Sequence, residues 1–250
     1  MPNGLYTGVT LRFADSQSGF VITLLQEDTP FPPVEHALRN PNGLLAAGGG
    51  LAPARLLDAY RHGIFPWFNE EDPVLWWCPD PRMVLFPSEF RISRSLRKTL
   101  CKHAYEIRVD TAFEQVMLDC AAPRGGQAGT WIHEEMITAY TELHRMGYAH
   151  SVETWIDGRL AGGLYGVALG GAFFGESMFS RVSEASKVAF AYLVERLRRR
   201  GYILLDTQFI NDHVRQFGAI EVSRTRYLEM LVRALDVHTS LDSGDKSDAL

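Results

Sequence analysis

The sequence is poor in the features that mark the commoner chemistries. Its three cysteines, Cys78, Cys101 and Cys120, stand far apart and form no metal or redox spacing. That usage fits a reducing compartment, and a cytoplasmic location is expected. The eight histidines give no H-E-x-x-H or paired-ligand spacing, and His133-Glu134-Glu135 does not supply one, so no metal is expected. No Walker-type loop and no dinucleotide fingerprint occur. Arg181–Ser186 lies between an expected strand and an expected helix but contains no glycine, so close approach of the backbone to a diphosphate is not evident. No cofactor is expected. The longest uncharged run, Leu160–Gly175, is too short and too glycine-rich for a membrane span. The N-terminus shows no basic flank followed by a long apolar segment, so neither a signal peptide nor a membrane partner is expected. No internal repeat is apparent.

What is present is ordinary in bulk. At 250 residues the chain can bury a real core as one or two domains. Hydrophobic content of 46% and charged content of 22% describe a soluble globular protein. A net charge of −5 argues against non-specific coating of nucleic acid and leaves room for a local basic patch.

The organising stretch runs from Asp157 to His213. Its first part alternates small and large apolar residues about Gly170-Gly171, which fits a two-residue hairpin turn. Val188, Ala189, Tyr192, Leu193 and Leu197 then recur at helical spacing, with Ser183 as the expected N-cap and Gly201 as the stop. Tyr202–Leu205 reads as a buried strand. Strand, turn, strand, helix, strand predicts a mixed α/β core. Three polar residues interrupt it: Glu176 inside an apolar strand, and Asp206 and Gln208 at the end of the next. Residues two apart on a strand share a face, so Asp206 and Gln208 are expected to point the same way. A carboxylate on a buried strand is costly unless paired or used. Both readings stay open for Asp206, and for Gln208 a strand-end hydrogen bond is the simpler use.

Residues 1–30 read as an N-terminal extension with room for one added hairpin, and 31–90 as a small N-terminal domain. Pro53 fits the first turn of a helix ended by Gly63. Pro79 and Pro81 fix a rigid loop just after Trp76-Trp77, a pair that either packs in the core or offers a stacking face to a base. Arg91, Arg94, Arg97, Lys98 and Lys102 make a cationic stripe on a short helix capped by Ser93. Such a stripe is a solvated face or a phosphate-tracking surface. A strand at Tyr105–Val109 and a helix at Ala112–Ala121 follow, then a glycine-rich loop from Arg124 to Gly129 that leads into Trp131. A helix over Glu134–Met146 and a strand over His150–Ile156 complete the entry to the organising stretch, and a helix over Tyr227–Leu235 closes the domain, 91–237. Residues 238–250 form a polar tail.

FPPVEHAL, GLLAAGGGLAPARLLDAYRHGIFPWF, WWCPDPR, ISRSLRK, GTWI, GGLYGV, GESMFSR and LLDTQFIND occur in that order. From Phe31 to Leu235 the chain resembles the leucyl/phenylalanyl-tRNA–protein transferases. The resemblance implies a small N-terminal domain followed by a GNAT-like acyltransferase domain, a mixed sheet flanked by helices. It implies transfer of leucine or phenylalanine, and less well methionine, from aminoacyl-tRNA to an N-terminal Arg or Lys, which marks the acceptor protein for degradation by the N-end rule. It assigns Trp77 and Trp131 to the terminal adenosine. Leu164, Phe173, Gly175, Met178, Leu193 and Leu205 fall to the donor side-chain pocket, the Arg91–Lys102 stripe to the tRNA, and Glu176, Asp206 and Gln208 to the reacting centre. A monomer is expected. The chain departs from the family at Leu164, where methionine is common, at Leu193, where phenylalanine is common, and at Cys78, where serine is common.

An aminoacyl ester is already activated, so positioning of the amine against it carries most of the expected catalysis. Asp206 is expected to orient or deprotonate the amine, Gln208 to fix Asp206 or the ester, and Glu176 to orient the donor's α-amino group or ribose. Two rivals stand beside this reading: an acyl-CoA-dependent N-acyltransferase on the same fold, and a tRNA-end-binding module without chemistry.

Overall fold

A computed structural model describes residues 8–11, 20–102, 104–123 and 130–241. The chain divides into two compact units, Met1–Asp80 and Pro81–Leu250. Among the described residues no helix is long and apolar enough to cross a membrane.

The first unit carries a five-stranded sheet ordered β1-β2-β3-β5-β4, with β1 Gly8–Leu11, β2 Phe20–Leu25, β3 Leu44–Gly48, β4 Phe65–Pro66 and β5 Leu75–Trp77. The stretch read as an extension belongs to this sheet: β1 and β2 form an antiparallel hairpin, and β2 runs parallel to β3. The apolar run Phe20–Leu25 explains why, since Ile22 and Leu25 are buried only when the strand has a sheet to join. The parts of the extension at 1–7 and 12–19 lie outside the described residues. Helix α1, Pro53–Arg61, starts on proline and ends at Gly63, whose φ of 72° lets the Ile64 amide bond the Ala59 carbonyl at 2.9 Å.

The second unit holds a seven-stranded sheet ordered β12-β6-β11-β10-β9-β8-β7. Its strands are β6 Arg82–Leu85, β7 Glu106–Val109, β8 Ala149–Ile156, β9 Arg159–Leu169, β10 Ala172–Ser180, β11 Leu204–Gln208 and β12 Ile220–Val222. The helices are α2 Arg94–Leu100, α3 Phe113–Ala121, α4 Glu134–Arg145, α5 Ala185–Arg199, α6 Asp212–Arg215 and α7 Arg224–Leu235. The domain boundary expected at residue 90 therefore falls earlier, because β6 pairs with β11 and β12 in this sheet. The mixed sheet flanked by helices is as expected. All its neighbours are antiparallel except β10 and β11, which α5 connects.

Alternation along β9 assigns the two faces. Gly162 and Leu164 face α5, whereas Gly163 and Tyr165 face α3 and α4. A Cβ at Gly162 would stand 2.7 Å from the Cβ of Ala185, so glycine is what lets α5 approach the sheet. Helix α5 begins one residue later than Ser183 predicts, after Glu184 at φ 70°. Ser180, the last residue of β10, takes the capping task instead and accepts from the Ser186 amide at 2.9 Å. Gly201 stops the helix as expected, with the Tyr202 amide on the Leu197 carbonyl at 2.9 Å.

The tail begins as packed chain rather than free chain. Leu241 is buried in the core beside α5, and its carbonyl accepts from Arg196 at 2.9 Å. The remainder of the expected tail, 242–250, lies outside the described residues, as does the Arg124–Gly129 loop.

Gly166 supplies a stability test. A Cβ there would stand 2.5 Å from the Phe173 ring and closer still to the Phe174 carbonyl. Gly166→Ala should lower the unfolding free energy by about 1–3 kcal/mol. An unchanged urea midpoint would show that the strand has slack the geometry does not suggest.

Candidate active site

The site grows from the place where β10 and β11 part. Their parallel pairing covers only Ala172–Phe174 against Leu204–Asp206, yet β10 runs on to Ser180 and β11 to Gln208. Beyond that point each strand keeps its other partner, and the space between them opens into a pocket of about 760 Å³. That volume is in the range of small-molecule sites, about 300–1,000 Å³.

Each diverging strand carries a bulge at the opening. On β10, Gly175 opposes Gly166 and Ser177 opposes Tyr165, so Glu176 is the extra residue. A bulge re-aims the side chain it inserts. Here it explains how a carboxylate in an apolar strand reaches the pocket, which Glu176 lines. On β11, Asp206 opposes Val84 and Gln208 opposes Met83, with Thr207 extra and Gln208 at φ 64°. This second bulge overturns the expectation that Asp206 and Gln208 share a face, because period-two alternation does not survive an inserted residue. Gln208 turns to Glu176 and donates from Nε2 to Oε1 at 2.7 Å. Tyr140 donates to the other oxygen at 3.4 Å.

Asp206 has a different environment. It is fully buried and accepts four hydrogen bonds: Arg82 Nε at 2.9 Å, Arg82 Nη2 at 2.7 Å, Tyr227 hydroxyl at 2.6 Å and Gln208 amide at 2.9 Å. A carboxylate offers about four acceptor positions, so none is left for an incoming amine. Of the three residues expected at the reacting centre, Glu176 lines the pocket and Gln208 bonds it, while Asp206 stands behind Gln208.

The expected apolar pocket is largely assembled. Leu164, Gly175, Met178, Leu193 and Leu205 line it together with Trp131. Phe173 does not; it is fully buried in the core between β9 and α5. Several lining residues were not legible in the sequence. Asp119 and Arg181 form an ion pair at the pocket, which α3 and the end of β10 bring together across 62 positions. Tyr165 packs edge-on against Tyr140, with ring centroids 5.8 Å apart. Burial, reinforced by the neighbouring Glu176, pushes its phenol well above the usual tyrosine range, so it remains neutral.

The other expected binding residues sit as follows. Ser93 caps α2 by accepting from the Leu96 amide at 3.2 Å, and Arg94, Arg97 and Lys98 are exposed around it. Arg91 precedes the helix and Lys102 follows it, both exposed. Among the described residues none of these five cations has an ion-pair partner. In the first unit Trp76 and Trp77 are both buried, and both indole N–H groups are committed, to Gly48 O at 2.8 Å and Trp67 O at 2.6 Å. Trp77 is 7% exposed, whereas Trp67, edge-on to it at 5.5 Å, is 42% exposed. Trp67, the more exposed of the two, is a residue the GIFPWF motif contained but pattern alone did not single out.

The sequence profile described as "Leucyl/phenylalanyl-tRNA protein transferase" matches residues 84–232, and the profile of that protein's N-terminal domain matches 49–80. A Leucyl/phenylalanyl-tRNA--protein transferase of Nitrosomonas europaea is 63% identical over 84% of this chain and 89% of its own length. A protein of the same name from Pseudomonas fluorescens is 55% identical over 86% of this chain and 96% of its own. Among solved structures, a GCN5-related N-acetyltransferase from Kribbella flavida aligns at 11% identity with a TM-score of 0.37, covering 67% of this chain and 60% of that one. L-PGS from Bacillus licheniformis aligns at 12% identity and the same TM-score, covering 69% and 56%. At such scores neither likeness bears on this chain.

The two exposed-or-buried tryptophans make a direct test. Trp77→Ala should cost about 3–5 kcal/mol of stability, as a buried aromatic truncation does. Trp67→Ala should cost less than half as much, and equal losses in denaturant unfolding would contradict the burial described here.

Proposed function

The chain belongs to the leucyl/phenylalanyl-tRNA–protein transferase family, and from that premise we propose that the Glu176 pocket seats the aminoacyl end of a charged tRNA. The protein is an aminoacyltransferase that moves an amino acid from tRNA to protein. The finer reading is that leucine or phenylalanine, and less well methionine, is passed to acceptors whose first residue is Arg or Lys, which marks them for N-end rule degradation. The observation that carries it is the carboxylate of Glu176, raised by a bulge into the pocket, held by Gln208 and accompanied by Trp131.

The donor side chain lies among Leu164, Met178, Leu193 and Leu205, whose burial is worth about 25 cal/mol for each Å² of apolar surface. Trp131, at the pocket, stacks on the terminal adenosine. Glu176 accepts from the donor's α-amino group or a ribose hydroxyl, oriented by Gln208. The acceptor's α-amine attacks the ester carbonyl carbon, the C–N bond forms, and the 3′ oxygen leaves with a proton. An α-amine has a reference pKa of about 8, so about a tenth of it is already free base at pH 7. No strong base is needed, and orientation alone is worth about 7–11 kcal/mol. This agrees with an Asp206 whose acceptor positions are all taken.

The acyl-CoA alternative fits less well. A diphosphate at the start of α5 needs free backbone N–H groups. The Ala185 amide already bonds the Val182 carbonyl at 3.1 Å, and the Ser186 amide bonds Ser180.

Incubating the protein with charged tRNA and an Arg-starting peptide, without CoA, should yield the extended peptide. Glu176→Gln should lower kcat/KM by about ten- to a hundredfold, the value of one hydrogen bond to a charged group. Product formation only on adding acyl-CoA would sink the reading. Separately, Arg97→Ala with Lys98→Ala should weaken tRNA binding and reduce the slope of log K against log salt by about 1–2. An unchanged slope would reduce the stripe to a solvated helix face.

A further inference from the structure

We infer that Arg82 and Tyr227 are positioning residues for the transfer: they clamp Asp206 so that it folds the backbone at Gln208 and thereby aims Gln208 at Glu176. The inference rests on the reading of Glu176 and Gln208 given above and adds two residues to it.

The chain of contacts is short and entirely buried at its root. Arg82 is 1% exposed and grips Asp206 with two parallel N–H bonds, Nε to Oδ1 at 2.9 Å and Nη2 to Oδ2 at 2.7 Å. Tyr227 donates its hydroxyl to Oδ2 at 2.6 Å and lies under the guanidinium, whose carbon is 4.5 Å from its ring centroid. Three donors from two other elements, β6 and α7, thus set the plane of the carboxylate. A bidentate guanidinium adds directional constraint that a point charge would not.

The oriented carboxylate has one further acceptor direction, and the Gln208 amide fills it at 2.9 Å. An aspartate that bonds the amide two residues on closes an Asx turn. The turn holds Gln208 at φ 64°, a left-handed conformation that costs a non-glycine residue about 1–2 kcal/mol. Such a conformation persists when its surroundings over-determine it. Held so, Gln208 places its Nε2 2.7 Å from Glu176 Oε1.

Asp206 therefore acts on geometry rather than on protons. A direct base would have to break one of its four hydrogen bonds before accepting a proton, inside a site with no solvent contact. As a positioning group it needs only to stay where it is.

The test uses the full chain and two readouts. Tyr227→Phe removes one hydrogen bond while keeping the ring and its contact with Arg82, so it is expected to fold; Arg82→Lys keeps the charge but loses the fork. Both should lower kcat about tenfold with donor KM nearly unchanged, and neither loss should recover as pH rises. On a Gln208→Ala background the Tyr227→Phe loss should vanish, because its output is already gone. In parallel, the side-chain amide signal of Gln208, identified by its disappearance in Gln208→Ala, should shift in Tyr227→Phe. An unmoved signal in folded Tyr227→Phe would overturn the clamp, as would a kcat loss that multiplies undiminished onto Gln208→Ala. Wild-type kcat in folded Tyr227→Phe and Arg82→Lys would overturn it as well, whatever the signal does.

Discussion

The pairing of β10 with β11 ends after three rungs, and the site exists because it ends there. An unfinished ladder leaves backbone polar groups exposed to a cavity, which is costly unless other partners take them. Both strands have such partners. β9 follows β10 as far as Ser180, and β6 accompanies β11 through Gln208. The sheet can therefore open at its centre without losing its ladder elsewhere. Most of the walls of the opening are strands β9–β11 and helices α3 and α5, and rigid elements hold a site more closely than loops do.

The two bulges give that opening its chemistry. A regular pleat would leave the pocket with the side chains that alternation allots. One extra residue on each strand brings Glu176 in and redirects Gln208 toward it. The arrangement suits a reaction whose donor is already activated. Aminolysis of an ester asks for a held donor, a held amine and few competing waters, and a mostly apolar pocket with Glu176 fixed in it provides the first and the last of these.

Legibility from the sequence followed the physics of each signal. Periodicity and glycine punctuation placed the hairpin at Gly170-Gly171, α5 and its stop at Gly201, because those are local effects. The N-cap was displaced to Ser180 because a residue outside the helix reached its first turn, which no local pattern encodes. Carboxylates in strands show the limit most plainly. Glu153, Glu176 and Asp206 all sit in strands. Glu153 is fully buried and satisfied by Thr111, Ala112 and Ser151 beside the start of α3. Asp206 is satisfied by Arg82 and Tyr227, more than 120 positions before it and 21 after it. Glu176 alone of the three lines the pocket. Their partners come from distant segments, so sequence could flag the cost of each charge but not how it was met. The family pattern narrowed the choice to Glu176 and Asp206, and only the geometry separated their surroundings.

Charge is distributed so that affinity and chemistry are handled by different parts of the second unit. The chain is acidic overall, at −5, yet the cations on and beside α2 are exposed and without ion-pair partners among the described residues. Inside the pocket, by contrast, Arg181 is tied to Asp119 and the phenol of Tyr165 stays neutral. Exposed cations act on a polyanion through counterion release, an effect that salt weakens. Part-buried hydrogen bonds such as Gln208 to Glu176 are screened less. On the reading proposed here, the RNA handle is gripped by a salt-sensitive surface and the aminoacyl ester by a salt-insensitive interior. Such a division lets a long nucleic acid be released without loosening the constellation that positions its end, since the clamp on Asp206 draws on none of the exposed cations.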